Sequence, residues 1–307
     1  MKLVRQLSEL PKDFSAGAVT IGNFDGVHVG HAVLIRRLVE LAAAKRGPAT
    51  VFTFDPHPVR LLRPELAPPA LVWTERKAKL LGELGVDTVI AFPTSRELLQ
   101  LSADQFLQSV VFDGLRAQAV VEGPNFYFGK DRQGDVVRLE TLCRQANLDC
   151  QIVKPEVTAG QLVSSSRIRA VLADGQIENA NAMLVRPYRI RGSIAAGAGR
   201  GASIGFATAN LERIDTLLPK PGVYAATAFL GETPHLAAVN IGPNPTFQEQ
   251  QFKVEVHLLD FDRNIYGESL QLEFHSRLRS VVPFGSVDQL VEQIQRDVAE
   301  TRRRLTC

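Results

Sequence analysis

In the first half of the chain, short apolar runs rich in β-branched residues recur about thirty residues apart, the length of one strand–helix unit. They occupy residues 18–21, 49–54, 86–92, 117–122 and 150–153. Between them the apolar positions move to helical spacing. Leu34, Leu38 and Leu41 follow the first run and stop at Lys45-Arg46-Gly47. Ser102-Ala103-Asp104-Gln105 reads as a capping box that opens a helix carrying Phe106, Val110 and Val111. Strands alternating with helices predict an α/β unit, a parallel sheet with helices on both faces, whose ligand lies outside the carboxyl ends of the strands.

Beyond Pro187 the period changes to two. Alternating runs at 188–194, 222–229, 235–241, 252–260 and 269–274, separated by glycine or proline, predict an all-β unit, a small closed barrel. Two short helical patterns, Ser165 to Ala173 and Ile177 to Leu184, lead into it. A C-terminal helix follows it, opened by a second capping box at Ser286-Val287-Asp288-Gln289 and carrying Leu290, Ile294 and Val298 along one face. The expected domains are 1–184 and 185–307.

Bulk properties narrow the setting. A chain of 307 residues supports two cores, and 45% hydrophobic with 22% charged residues excludes large-scale disorder. A formal charge of +2 gives no general pull toward nucleic acid or a membrane surface. No apolar run is long enough to span a bilayer, and Met1 to Gln6 lacks the apolar core of a signal peptide. Cys143, Cys150 and Cys307 form an odd, unpatterned set, which suits a reducing compartment. The expectation is a cytoplasmic protein with neither nucleic-acid nor membrane partners.

Candidate chemistry concentrates at Gly22-Asn23-Phe24-Asp25-Gly26-Val27-His28-Val29-Gly30-His31, the strand-to-helix turn after the first run. Such a turn offers unpaired N–H groups and the positive end of a helix dipole to an anion. His28 and His31, three apart, place both imidazoles on one side of the opening turn. Gly30 between them leaves room for a phosphate near the backbone. A zinc site would need a third ligand, and none stands out. Asp25 reads as an organiser of the turn.

Three further segments follow strand ends: Asp55-Pro56-His57-Pro58, Glu122 to Lys130, and Val163 to Arg169. Ser164, Ser165, Arg167 and Arg169 are either a serine cap with surface arginines or a second anion site. Asn125, Phe126 and Phe128 are either strand residues packing on the sheet or a platform for a planar ring. In the second half, Gly197, Gly201 and Gly205 are either a flexible loop or a backbone cradle for phosphates. Thr208 and Asn210, two apart on an extended segment, offer hard oxygens suited to a magnesium ion held by ATP. Glu255 shares a strand face with His257, a position that by itself is often only solvated.

His28-Val29-Gly30-His31 resembles the HxGH signature of nucleotidyltransferases, and the ten residues GNFDGVHVGH look like the FMN adenylyltransferase domain of bacterial FAD synthetases. Val163-Ser164-Ser165-Ser166-Arg167-Ile168-Arg169 is similar to the SSTxxR motif that accompanies HxGH, which makes Arg169 the motif arginine and Arg167 its helper. The Asn125-Phe126-Tyr127-Phe128-Gly129 string matches that family's flavin-side motif. The second half resembles the riboflavin kinase barrel: GFATAN at 205–210, Gly222-Val223-Tyr224-Ala225, Val239-Asn240-Ile241-Gly242 with Pro245-Thr246-Phe247, and Glu255 to Phe261 with Tyr266-Gly267. Together they resemble the bacterial bifunctional riboflavin kinase/FMN adenylyltransferase family.

That resemblance implies a Rossmann-like nucleotidyltransferase domain followed by a riboflavin-kinase-type barrel. It implies riboflavin, FMN, FAD, ATP, ADP and pyrophosphate as partners, with ATP as co-substrate and Mg²⁺ as cofactor. His28 and His31 would serve adenylyl transfer, with Gly22, Asn23, Phe24, Asp25, Gly30, Ser164, Ser165, Arg167 and Arg169 at its ATP. Asn125, Phe126 and Phe128 would meet the flavin. In the barrel Glu255 would be the base, Gly197, Gly201, Gly205, Thr208 and Asn210 would hold ATP, and Thr208 with Asn210 the metal. The chain departs from the pattern at Ala207, where the motif has proline, at Ala202, where a basic residue is usual, and after Arg279, where Val281 to Phe284 stand. Two rivals are a transferase for another phosphate acceptor, which would have no use for such a barrel, and a barrel that has lost catalysis.

Overall fold

The computed structural model describes residues 1–154, 157–158, 161–196, 201, 204–244 and 249–306; at 157, 158, 161, 244 and 249–251 only the backbone is described. Gly197, Ala202, Pro245, Thr246, Phe247 and Cys307 therefore lie outside the described residues. Two compact units emerge, Met1–Pro68 with Trp73–Ser164, and Pro69–Val72 with Ser165–Cys307.

The first unit holds six parallel strands: β1 (Lys2–Val4), β2 (Ala18–Ile21), β3 (Ala49–Asp55), β4 (Thr88–Pro93), β5 (Ala119–Glu122) and β6 (Asp149–Ile152). Their order is β1-β4-β3-β2-β5-β6. The predicted runs land on β2 to β6, and each is bounded where its apolar pattern ends. β1 has only three residues and no alternation to mark it. Phe52, Ile90, Val19 and Val120 form the core with Phe106, Leu107, Val111 and Leu115. Ser102 and Gln105 do cap each other's backbone N–H groups. The helix they open widens after Phe106, so that Leu115 N–H bonds Val110 C=O at 2.9 Å.

Strand order reverses between β2 and β5, the switch point of the sheet. Those strands pair in register only at Val19 and Val120. Glu122, 2% exposed, fills the gap: its Oε1 accepts Ile21 N–H at 2.6 Å and Thr20 Oγ1–H at 3.3 Å. Burial pushes its carboxyl well above the usual range. The two strands are thus spread where the glycine-rich turn leaves β2.

A two-stranded ladder, β7 (Val157–Thr158) with β8 (Gln161–Leu162), is a separate small sheet. The second unit is a closed antiparallel barrel of β9 (Arg189–Ala195), β10 (Ala209–Glu212), β11 (Gly222–Leu230), β12 (Thr233–Asn244), β13 (Glu249–Leu258) and β14 (Ser269–Arg279). Its order is β10-β13-β12-β11-β14-β9, closed by β9 against β10. The helix Val287–Leu305 packs on β11, β12 and β14, which explains why Val223 to Ala226 are buried on both strand faces. Ser286 caps it through Gln289 N–H at 3.3 Å. The reciprocal half of the expected box goes elsewhere, since Gln289 Oε1 accepts from Gly285 N–H at 3.0 Å. Arg279 fixes the helix to the barrel through Asp297, with Nε 3.0 Å from both carboxylate oxygens and Nη2 2.7 Å from one.

Candidate active sites

β2 ends fully buried, and the chain then turns through Phe24, Gly26 and Val27, all at positive φ (46°, 84° and 44°). Glycine takes this conformation freely, whereas Phe24 and Val27 hold it under strain. The turn delivers the chain to the helix Val29–Ala44 with His28 as its N-cap. The caps are unusual. His31 N–H donates to His28 Nδ1 at 3.2 Å, and His28 N–H donates to His31 Nδ1 at 3.3 Å. This is a capping box made by two imidazoles. Their rings stack with centroids 3.6 Å apart, and Phe24 leans on His31 at 5.0 Å.

Because both Nδ1 atoms accept, each neutral ring carries its proton on Nε2. Burial lowers the pKa of His28 to about 4. His31 is lowered well below its ordinary value by burial first, then by positive charge at His28 and Lys77. The turn therefore presents two neutral Nε2–H donors. With His31 N–H taken, Val29 and Gly30 are the helix-start amides that remain to meet an anion. A Cβ on Gly30 would stand 3.1 Å from His28 Nδ1, so a larger residue here would press on the imidazole cap. The expected clearance for phosphate is space that His28 already borders.

Other members of the turn take supporting positions. Asn23 C=O accepts from Thr53 Oγ1–H at 3.3 Å, and its side-chain Oδ1 is buried with no hydrogen-bond partner among the described residues. Asp25 is 8% exposed. A Cβ on Gly22 would meet the Phe24 ring at 3.0 Å. After β5, Asn125 is exposed, whereas Phe128 is buried against Phe106 and Phe126 stacks on Phe128 with centroids 5.2 Å apart. Phe126 is the half-buried aromatic of the pair. Ser164 closes the first unit; Ser165, Arg167 and Arg169 belong to the helix Ser165–Ala173 of the second. There Arg169 Nε donates to Pro69 C=O at 2.8 Å.

In the barrel unit, Asn210, Glu255 and Asn240 are cross-strand partners on β10, β13 and β12. Val254, Val256 and Leu258 point into the barrel, so Glu255 and His257 stand on its outer face. Asn240 Nδ2 donates to Glu255 Oε2 at 3.4 Å. The segment before β10 is pinned to this strand. His257 Nδ1–H donates to Ala207 C=O at 2.8 Å, and Phe206 meets the His257 ring edge-on at 5.4 Å. Ala207 lacks a proline's stiffness but is held by that bond. Gly201 is a close-approach glycine: a Cβ there would fall 2.3 Å from Phe206 O and 3.2 Å from Thr208 Oγ1. Gly205 turns at φ 86° with open space around it.

Three residues have positions that the sequence assigned no role. Lys77 sits on the buried face of the helix Thr74–Glu83, one turn before Leu81, a placement its spacing could have flagged. Glu122 stood out only as the strand end that opens the segment to Lys130, with nothing to show that its carboxyl turns back to β2. Asn240 was visible as the polar position inside Val239-Asn240-Ile241, but only register shows that it faces Glu255.

A parallel sheet with an imidazole-capped helix start at its switch point, joined in one chain to a closed barrel that carries an acid–amide row, is the build of a two-domain phosphate-transferring enzyme. Comparison with known proteins agrees: residues 10–167 match the FAD synthetase family model and residues 184–305 the riboflavin kinase model. A bifunctional riboflavin kinase/FMN adenylyltransferase of Escherichia coli K12 is 34% identical over 304 residues, covering 98% of this chain and 97% of the relative. One of the same description from Pseudomonas fluorescens is 35% identical over 303 residues, with 98% and 97% covered. A crystal structure described as a macrolide-efflux protein from Streptococcus pneumoniae superposes with TM-score 0.85 at 28% identity, covering 98% of each chain. Among the described residues here, no helix is long and apolar enough to cross a membrane.

The chain belongs to the bifunctional riboflavin kinase/FMN adenylyltransferase family, with an FAD synthetase domain followed by a riboflavin kinase domain. Enzymes of this type use ATP as co-substrate, with riboflavin, FMN and FAD as their flavin substrates and products.

Proposed function

We propose that this chain phosphorylates riboflavin to FMN on the barrel, releasing ADP, and adenylylates FMN to FAD on the α/β unit, releasing pyrophosphate. The observation carrying this reading is that the paired imidazoles and the Glu255–Asn210 row stand on two separately built folds. We place the division at 184/185, and the working compartment in the cytoplasm, without nucleic-acid or membrane partners.

On the barrel, the 5′-hydroxyl of riboflavin must lose a proton as it attacks the γ-phosphorus of ATP. Glu255 takes that proton, and Asn240 helps to hold its carboxylate in place. Gly197, Gly201 and Gly205 line the nucleotide's phosphates. Thr208 and Asn210 supply hard oxygens that fit Mg²⁺, which when bound draws charge from the phosphates.

On the α/β unit the nucleophile is the FMN phosphate, already anionic, so its attack on the α-phosphorus needs no base. His28 and His31 donate Nε2–H to phosphoryl oxygens, and the amides of Val29 and Gly30 add the helix dipole. Gly22, Asn23, Phe24 and Asp25 shape the turn around that ATP. Ser164, Ser165, Arg167 and Arg169 keep the anion-binding role their motif implies. Asn125 and Phe126 contact the flavin, with Phe128 as the platform behind Phe126.

Calorimetric titration with a non-hydrolysable ATP analogue tests the reading. Two binding events per chain are expected, one of which disappears in His31→Ala. A single event in the wild-type protein contradicts it.

A further inference from the structure

Lys77 is a lysine where lysines are seldom found. It is 8% exposed, and one hydrogen bond engages its ammonium among the described residues, a 3.4 Å contact to Thr53 Oγ1. Buried ammonium groups need opposite charge close by. Two carboxylates supply it: Asp25 from the glycine-rich turn and Asp55 from the end of β3. Burial lowers the Lys77 pKa, and these two acids act against that shift. Thr53 also donates to Asn23 C=O, so the lysine is tied to the turn through that hydroxyl, while the Asp25 carboxylate acts on it through its charge.

The difficulty Lys77 resolves lies in Asp25. A turn that offers amides and neutral imidazoles to a polyphosphate also carries a buried carboxylate in its middle. An uncompensated negative charge there repels the ligand the rest of the turn attracts, and burial weakens the screening that would soften it. We propose that Lys77 is a positioning residue for adenylyl transfer: its ammonium neutralises Asp25 from beneath the turn, so that the ATP triphosphate meets hydrogen-bond donors without a facing negative charge. Lys77 need not touch the nucleotide to do this. The inference rests on the assignment of this turn to the nucleotide of FAD formation.

Two substitutions separate charge from packing. Lys77→Met keeps the stem's volume and deletes the charge. Lys77→Met combined with Asp25→Asn deletes both members of the pair. FMN adenylylation is assayed with FMN supplied, so only this unit's ATP dependence is read. Riboflavin phosphorylation on the same sample reports that the chain is folded. Lys77→Met is expected to raise KM for ATP tenfold or more while kcat changes less. The double variant is expected to sit closer to wild type than the product of its two single effects. A KM for ATP within twofold of wild type in Lys77→Met overturns the inference, and so does simple additivity in the double variant. His31→Ala serves as the reference. If it lowers adenylylation while Lys77→Met does not, the inference fails and the site assignment stands; if His31→Ala leaves adenylylation intact, the assignment itself fails.

Discussion

His28 and His31 hold one another: each ring nitrogen Nδ1 accepts the other residue's backbone N–H, at 3.2 and 3.3 Å. The helix start and the imidazoles proposed for adenylyl transfer are therefore one structure. Protonating either Nδ1 removes an acceptor and breaks the cap. The folded pKa of His28 lies near 4 against 6.5 in the unfolded chain, so the unfolded state binds the extra proton between those values. Its contribution to stability is complete above pH 6.5 and is lost as pH falls toward 4, on the order of 3 kcal/mol in all. Chemical denaturation of the wild-type chain between pH 4.5 and 7.5 should show the α/β unit weakening over that window.

The pair can be replaced by an ordinary cap. His28→Ser with His31→Gln restores a capping box without imidazoles. This double variant should fold with a flatter pH dependence of stability and form FAD from FMN at least a hundredfold more slowly. Activity near wild type would show that the rings only cap.

Gly30→Ala should also impair FAD formation, because its Cβ would crowd His28 Nδ1 at 3.1 Å and tilt the ring. A tenfold or greater loss in adenylylation, with riboflavin phosphorylation unchanged, is the expected result of paired assays.

Asp297, 6% exposed, receives Arg279 through two nitrogens and Gln293 Nε2 at 2.9 Å. Asp297→Ala strands a partly buried guanidinium and loosens the C-terminal helix from β11, β12 and β14. Its cost should be about 3 kcal/mol, read from the denaturant midpoint of the barrel unit.

Much of this was legible beforehand, and particular residues show why the rest was not. The buried strands β2 to β5 announce themselves as unbroken apolar runs, and the barrel strands as alternation. β1 is three residues long and exists only through its pairing with β4. β10 hides in a glycine-rich segment, and its Asn210 gains meaning from standing opposite Glu255. Histidine is not an ordinary cap, so the reciprocal bonding of His28 and His31 was invisible although the residues themselves were prominent. Lys77 looked like one more charge in Thr74-Glu75-Arg76-Lys77-Ala78-Lys79; its spacing from Leu81 puts it on the buried face, but only packing shows what it meets there.

Separating the flavins formed from riboflavin, ATP and Mg²⁺ by three proteins tests the two-site account most directly. Wild type should yield FMN and FAD, His31→Ala should stop at FMN, and Glu255→Gln should make neither from riboflavin yet convert supplied FMN to FAD. One substitution that abolishes both conversions in a folded chain would contradict it.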